Sequence, residues 1–144
     1  MKIKKIYKKM YYGLLKRNFR YISSPFRMLP DFIIIGAVRC GTTSLYYNIC
    51  EHPKILSASY DEIGFFDVNY DLGINWYRSM FPIKSRDSSS EKYLTGEDTP
   101  FYFWSESVAK KLKKDLPNVK LITILRNPVD RAYSNYNLGV RGGT

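Results

Sequence analysis

The residues best placed to do chemistry lie in one run, Asp31-Phe-Ile-Ile-Ile-Gly-Ala-Val-Arg-Cys-Gly-Thr-Thr-Ser-Leu45. An apolar stretch ends at Gly36, a glycine-bounded loop follows, and hydroxyl residues open a helical pattern. This is the layout of a buried strand, a phosphate-cradling loop and a helix N-terminus. The first backbone N–H groups of a helix lack intrahelical partners, and the helix dipole adds partial positive charge there. The anionic group of a nucleotide is the natural occupant. Gly36 and Gly41 have the spacing of a Walker loop, but Thr42 stands where that loop carries its lysine, and the positive charge sits earlier, at Arg39. No strand is expected to end in an aspartate suited to magnesium, so the loop reads as a phosphate holder without the cation placement of ATP chemistry.

A second chemical feature comes late. Arg126-Asn-Pro-Val-Asp130 is a helix start: Asn127 suits the N-cap, Pro128 the first helical position and Asp130 the first turn. Ser134 lies about two turns beyond Asn127, on the same helix face. The elements that must carry these residues are strands at 32–35, 55–58 and 119–125, with a strand edge at 93–96. The helices are Thr42–Cys50, 73–80, 105–116 and one running from Asn127 to about Leu138. Trp76 and Tyr77 are expected to face inward, as are Val108, Ala109, Leu112 and Leu116. Phe65, Phe66, Trp76 and Tyr102 read as core. Strands alternating with helices imply an α/β domain with a mainly parallel sheet. A polar loop is expected at 84–92.

The chain has 144 residues, 44% hydrophobic and 16% aromatic, enough for one packed core and too apolar for a disordered chain. Its net charge of +10 is uneven. Residues 1–29 carry nine Lys or Arg and no acid, leaving 14 basic against 13 acidic residues in the rest. The near-neutral body argues against nucleic acid as a ligand. In the tail, Ile3, Ile6, Tyr7, Met10 and Leu14 form a helical stripe among lysines. That pattern fits an interfacial helix on an anionic membrane surface, or a solvated helix packed on the domain. No run approaches the roughly 18 apolar residues of a membrane span, and the tail lacks a secretory h-region. A cytoplasmic or peripheral-membrane location is the expectation. Cys40 and Cys50 are separated by a predicted helix and are not expected to bridge, and the one histidine, His52, reads as structural.

At this point a resemblance becomes specific. The Gly36–Thr43 segment resembles the 5′-phosphosulfate loop of sulfotransferases that use 3′-phosphoadenylyl sulfate (PAPS). Leu125-Arg-Asn-Pro-Val-Asp-Arg-Ala-Tyr-Ser134 resembles the strand and helix that bind the 3′-phosphate in that family. Asp61-Glu62-Ile-Gly-Phe65-Phe66-Asp67 resembles the segment bearing its catalytic glutamate. The segments around Gly73–Tyr77 and Phe81-Pro82 are similar to the heparan sulfate, carbohydrate-acting and related bacterial-like branch. The resemblance implies a P-loop-like three-layer domain at 30–144, incomplete at its C-terminal end. It implies PAPS held by Arg39, Cys40, Gly41, Thr42, Thr43, Ser44, Arg126 and Ser134. Glu62 would act as general base, Arg39 would stabilise the leaving oxygen, and no metal is expected. The implied reaction is sulfuryl transfer to a hydroxyl or amine of a carbohydrate. Two alternatives stand beside it: a truncated, non-catalytic remnant that binds PAPS or its product PAP, and an ATP-using P-loop phosphotransferase. Asp98 stands where the family pattern has a lysine, Asp61 where many relatives have one, and Arg39 replaces the lysine of the animal enzymes.

Overall fold

A computed structural model describes residues 20–84 and 92–142. The stripe at 3–14 lies outside the described residues, as does most of the loop expected at 84–92. The sheet has four strands: β1 (Phe32–Gly36), β2 (Ile55–Ser57), β3 (Leu94–Asp98) and β4 (Lys120–Thr123). Their order is β2-β3-β1-β4, and every pairing is parallel. The helices are α1 (Thr42–Cys50), α2 (Ile74–Arg78), α3 (Glu106–Asp115) and α4 (Pro128–Gly142).

Three layers follow from the alternation of side chains along β1. Phe32 and Ile34 point to one face, where Tyr46 of α1 covers them. Ile33 points to the other and enters a larger cluster with Phe65, Phe66, Tyr77, Phe81, Tyr102, Val108 and Leu112. A strand buried on both faces must be apolar throughout, and the Ile33–Ile35 run supplies that. The Tyr46 hydroxyl donates to the Gly96 carbonyl at 3.0 Å and accepts from the Ala58 amide at 2.8 Å, stitching α1 to β2 and β3.

The sheet corrects several expectations. The segment at 93–96 is no strand edge: β3 lies between β2 and β1 and continues through Glu97 to Asp98. A strand ending in an aspartate is therefore present. The expected buried strand at 119–125 is shorter, and it pairs only with β1. Leu121 is 50% and Leu125 70% exposed, because no described strand or helix covers that edge. Val108, Leu112 and Leu116 are buried as expected, whereas Ala109 faces solvent. Helix α4 runs past Gly139 to Gly142. Phe65, Phe66, Tyr77 and Tyr102 are core, while Trp76 is half-buried and stacks on Phe65.

Residues just before β1 are docked on the body. The buried Arg27 guanidinium donates to the Ser23 hydroxyl at 2.9 Å and the Phe81 carbonyl at 2.6 Å, and the Met28 amide donates to Pro82. Cys40 and Cys50 are unbridged. No helix among the described residues is long and apolar enough to cross a membrane.

Candidate functional site

The glycine loop is shaped by contacts on both sides. A Cβ on Gly36 would lie 2.7 Å from the Phe103 Cβ and 2.8 Å from the Pro100 carbonyl oxygen, so only glycine fits where β1 ends. The ladder between β1 and β4 extends beyond the strands: Ala37 N–H donates to Ile124 at 2.9 Å, and Ile124 N–H to Gly36 at 2.8 Å. The start of the loop and the approach to Arg126 therefore sit side by side at the carboxyl end of the sheet. Gly41, at φ +90°, turns the chain into α1, and the Leu45 amide closes the first turn on the Gly41 carbonyl. The amides of Thr42, Thr43 and Ser44 lie in that first turn, where no intrahelical acceptor exists. Thr42 is buried, and Thr43 and Ser44 are exposed. Cys40 serves the shape of the loop: its side chain is buried and its amide donates to Ala37.

Two non-glycine residues among those described have positive φ, Arg39 at +65° and Glu62 at +48°. Such backbone is sparsely populated by residues with a Cβ and concentrates at functional sites. Both are residues that the sequence singled out.

Arg39 reaches across to α4. Its Nε and Nη2 donate to the Ser134 hydroxyl at 3.2 and 3.0 Å. The Val129 amide donates to Asn127 Oδ1 at 2.9 Å, which caps α4 as the sequence predicts. Arg126, just before that cap, is exposed.

On the other flank of the loop stands a set of carboxylates. The Glu62 amide donates to the Asp98 carbonyl at 3.0 Å, fixing the Glu62 segment to the end of β3. Asp61 accepts from the Tyr47 hydroxyl at 2.7 Å. Asp98 is 1% exposed, with the Thr43 hydroxyl beside its carboxylate. Burial, then the charges of Asp61 and Glu62, push its pKa up to about 6. Glu97 is equally buried but well satisfied: it accepts from Tyr77 Oη at 2.5 Å and Thr99 Oγ1 at 2.9 Å. Burial raises its pKa to about 7. Thr99 Oγ1 in turn accepts from the Gly64 amide at 3.3 Å, and Tyr102 Oη from the Phe66 amide at 3.1 Å. The segment carrying Glu62 thus hangs from the Glu97 cluster.

A cavity of about 570 Å³ opens beside Asp61 and Glu62, walled by Tyr60, Trp76, Asn69 and Met80. Trp76 is thereby a wall of this cavity as well as a neighbour of the core. A larger hollow of about 840 Å³ lies at the amino ends of the strands, beside Asp31, Leu94 and Lys120, and holds none of the site residues.

The structure joins Arg39 to Ser134 and places Arg126 at the same sheet end. Glu62 and Thr43 meet around Asp98. Sequence reasoning missed the roles of Glu97 and Asp98; the signal available was a pair of acids inside an otherwise apolar, threonine-containing stretch.

A glycine loop at the carboxyl end of a parallel sheet defines an α/β domain of the P-loop-like class. Residues 29–141 match the model of the sulfotransferase domain family, and the chain belongs to that family. It is 41% identical over 113 residues to the membrane-associated sulfotransferase kil1 of Dictyostelium discoideum, covering 78% of this chain and 24% of that protein. It is 41% identical over 114 residues to human bifunctional heparan sulfate N-deacetylase/N-sulfotransferase 3, covering 75% of this chain and 13% of that one. The crystal structure of a sulfotransferase from Alicyclobacillus acidocaldarius superposes with a TM-score of 0.62 at 31% identity, covering 81% of this chain and 52% of that one. The chain therefore spans about a quarter or less of these curated relatives and about half of the solved structure.

Proposed function

We propose that this chain is the donor-binding part of a sulfotransferase that moves a sulfuryl group from PAPS to a hydroxyl or amine of a carbohydrate. The observation that supports the reading is the pair of hydrogen bonds from Arg39 to Ser134, which joins the glycine loop to the α4 helix. A donor with anionic groups at both ends of an adenosine suits that pairing of a phosphate loop with a second helix. The loop amides and the Thr42, Thr43 and Ser44 hydroxyls would hold the 5′-phosphosulfate. Arg126 and Ser134 would hold the 3′-phosphate, with a planar guanidinium matched to phosphate. Arg39 has five N–H donors, so binding Ser134 through two nitrogens leaves Nη1 for the donor.

In the transfer, Glu62 takes the proton of the acceptor hydroxyl or amine while the acceptor atom attacks sulfur in line. The bond from sulfur to the bridging oxygen breaks, and 3′,5′-adenosine bisphosphate leaves with that electron pair. Arg39 and the loop amides stabilise the charge that develops on the leaving oxygen. The cavity beside Glu62, with Tyr60 and Trp76 in its wall, offers aromatic faces to a sugar ring.

The test has two arms. Thermal-shift titration should show 3′,5′-adenosine bisphosphate stabilising the protein more than ADP; equal shifts would refute the donor assignment. Transfer of radiolabelled sulfate to a glycan panel should be lost in Glu62→Gln with nucleotide binding retained. Transfer indifferent to that substitution would remove Glu62 as the base. Nucleotide binding with no transfer by the native chain would identify a binding remnant.

A further inference from the structure

Arg27 is a buried cation whose partners are neutral. It is 8% exposed, and its guanidinium donates to the Ser23 hydroxyl and the Phe81 carbonyl. Among the described residues no acid forms an ion pair with it. A buried charge without a counter-charge is costly, and neutral oxygens offset only part of that cost. Burial, then the like charge of Arg20, lower the pKa of Arg27, so the two guanidinium groups lie within electrostatic reach of each other.

What Arg27 accomplishes is local. The Ser23 hydroxyl that it holds donates in turn to the Arg20 carbonyl at 3.1 Å. This chain of hydrogen bonds fixes the turn that carries Arg20 to the body of the domain. Arg20 thereby lines the cavity of about 570 Å³ that also holds Asp61 and Glu62. Its guanidinium carbon lies over the Tyr60 ring, 6.0 Å from the centroid. Contact with an aromatic face steadies a guanidinium and leaves its edge N–H groups free for an anion. Arg20 is half-buried, and among the described residues no acid pairs with it. Asp61, in the same wall, accepts from the Tyr47 hydroxyl instead.

The cavity is of a size that takes a small ligand. A neutral sugar would need no cation there. An acidic sugar would, because Asp61 and Glu62 repel a further anion and a cation in the wall must hold the acceptor against them. Arg20 also lies outside residues 29–141, which the family model matches, so the contact belongs to this chain's own flanking segment.

We propose that Arg20 is a specificity-determining residue that binds a carboxylate or sulfate group of an acidic sugar acceptor in the cavity beside Glu62. The planar fork takes two oxygens of either group. The anion is held at one wall, and the reacting hydroxyl or amine is left to Glu62. This inference rests on the acceptor reading above and names the class of acceptor.

Calorimetry on the full chain, without nucleotide, tests it with three oligosaccharides of one length. One bears uronate carboxylates, one is its carboxyl-reduced neutral counterpart, and one is that neutral sugar carrying O-sulfate. At least one anionic sugar should bind about tenfold or more tighter than the neutral one, and which it is distinguishes carboxylate from sulfate. Arg20→Ala should shrink that preference to about twofold or less, and Arg20→Lys should recover part of it, keeping the charge without the fork. In transfer assays the loss should fall on KM for the acidic acceptor and not on kcat. Equal binding of all three sugars by the native chain would overturn the proposal, and so would binding of none. A preference that survives Arg20→Ala would do the same, since a merely structural role weakens charged and neutral sugars alike. Failure of 3′,5′-adenosine bisphosphate to bind would instead overturn the donor reading, and the acceptor comparison, made without nucleotide, would still judge Arg20.

Discussion

Arg39 and Ser134 stand 95 positions apart and are joined by two hydrogen bonds, at 3.2 and 3.0 Å. This contact ties α4 to the glycine loop, and Arg131 of the same helix lies over the Trp104 ring at 5.8 Å. Much of the rest of α4 is open, with Val129, Tyr133 and Tyr136 all exposed. The position of α4 is therefore tied to that of Arg39. Ser134→Ala should weaken 3′,5′-adenosine bisphosphate binding by about tenfold, the worth of one hydrogen bond to a charged group, and leave ADP binding little changed. Calorimetry with both nucleotides checks the difference.

Arg126 offers the complementary test. It is exposed, so its removal should leave the unfolding free energy within about 0.5 kcal/mol of the native value. Arg126→Ala should nonetheless erase the preference for the bisphosphate over ADP. A preserved preference would take the 3′-phosphate away from this end of the sheet.

The glycines separate packing from conformation. A Cβ on Gly96 would lie 2.4 Å from the buried ring of Phe32, whereas one on Gly41 would meet nothing within 4 Å. Gly96→Ala should cost about 2 kcal/mol or more by overpacking. Gly41→Ala should cost about 1–2 kcal/mol, from the positive φ alone, while distorting the loop turn. Urea unfolding would rank the two, and nucleotide binding should suffer in the milder variant.

How far the sequence alone could go is clearest strand by strand. β1 and α1 were legible because an isoleucine run, two glycines and a row of hydroxyls are each local signals. β3 was misread as an edge because Glu97 and Asp98 break the apolar pattern. What makes β3 interior is non-local: Tyr77 satisfies Glu97 from twenty residues away, and the order of the strands decides which are covered. β4 shows the reverse error, since the apolar run at 119–125 is real but no described element covers Leu121 and Leu125. At the site, Arg39 and Ser134, each singled out by its motif, are in contact. The burial of Asp98 was not legible, because it depends on the segments carrying Thr43 and Glu62 folding around it.

Glu97 should make stability depend on pH in a defined sense. Its ordinary value is 4.5, and burial raises it to about 7 in the folded protein. Between those values the folded state holds a proton that the unfolded state has released, so stability falls as pH rises. The contribution is complete below the unfolded value, is lost as pH climbs through about 7, and is flat beyond. Its full size is about 3 kcal/mol at most. Asp98, raised to about 6, acts in the same direction. Glu97→Gln mimics the protonated acid and should therefore flatten most of the decline. Urea unfolding of the native protein at pH 5 and pH 8 should show the drop, and Glu97→Gln should retain only the smaller part due to Asp98. An unaltered slope in that variant would mean that Glu97 stays ionised in its cage of hydroxyls, held by Tyr77 and Thr99 more strongly than burial opposes it.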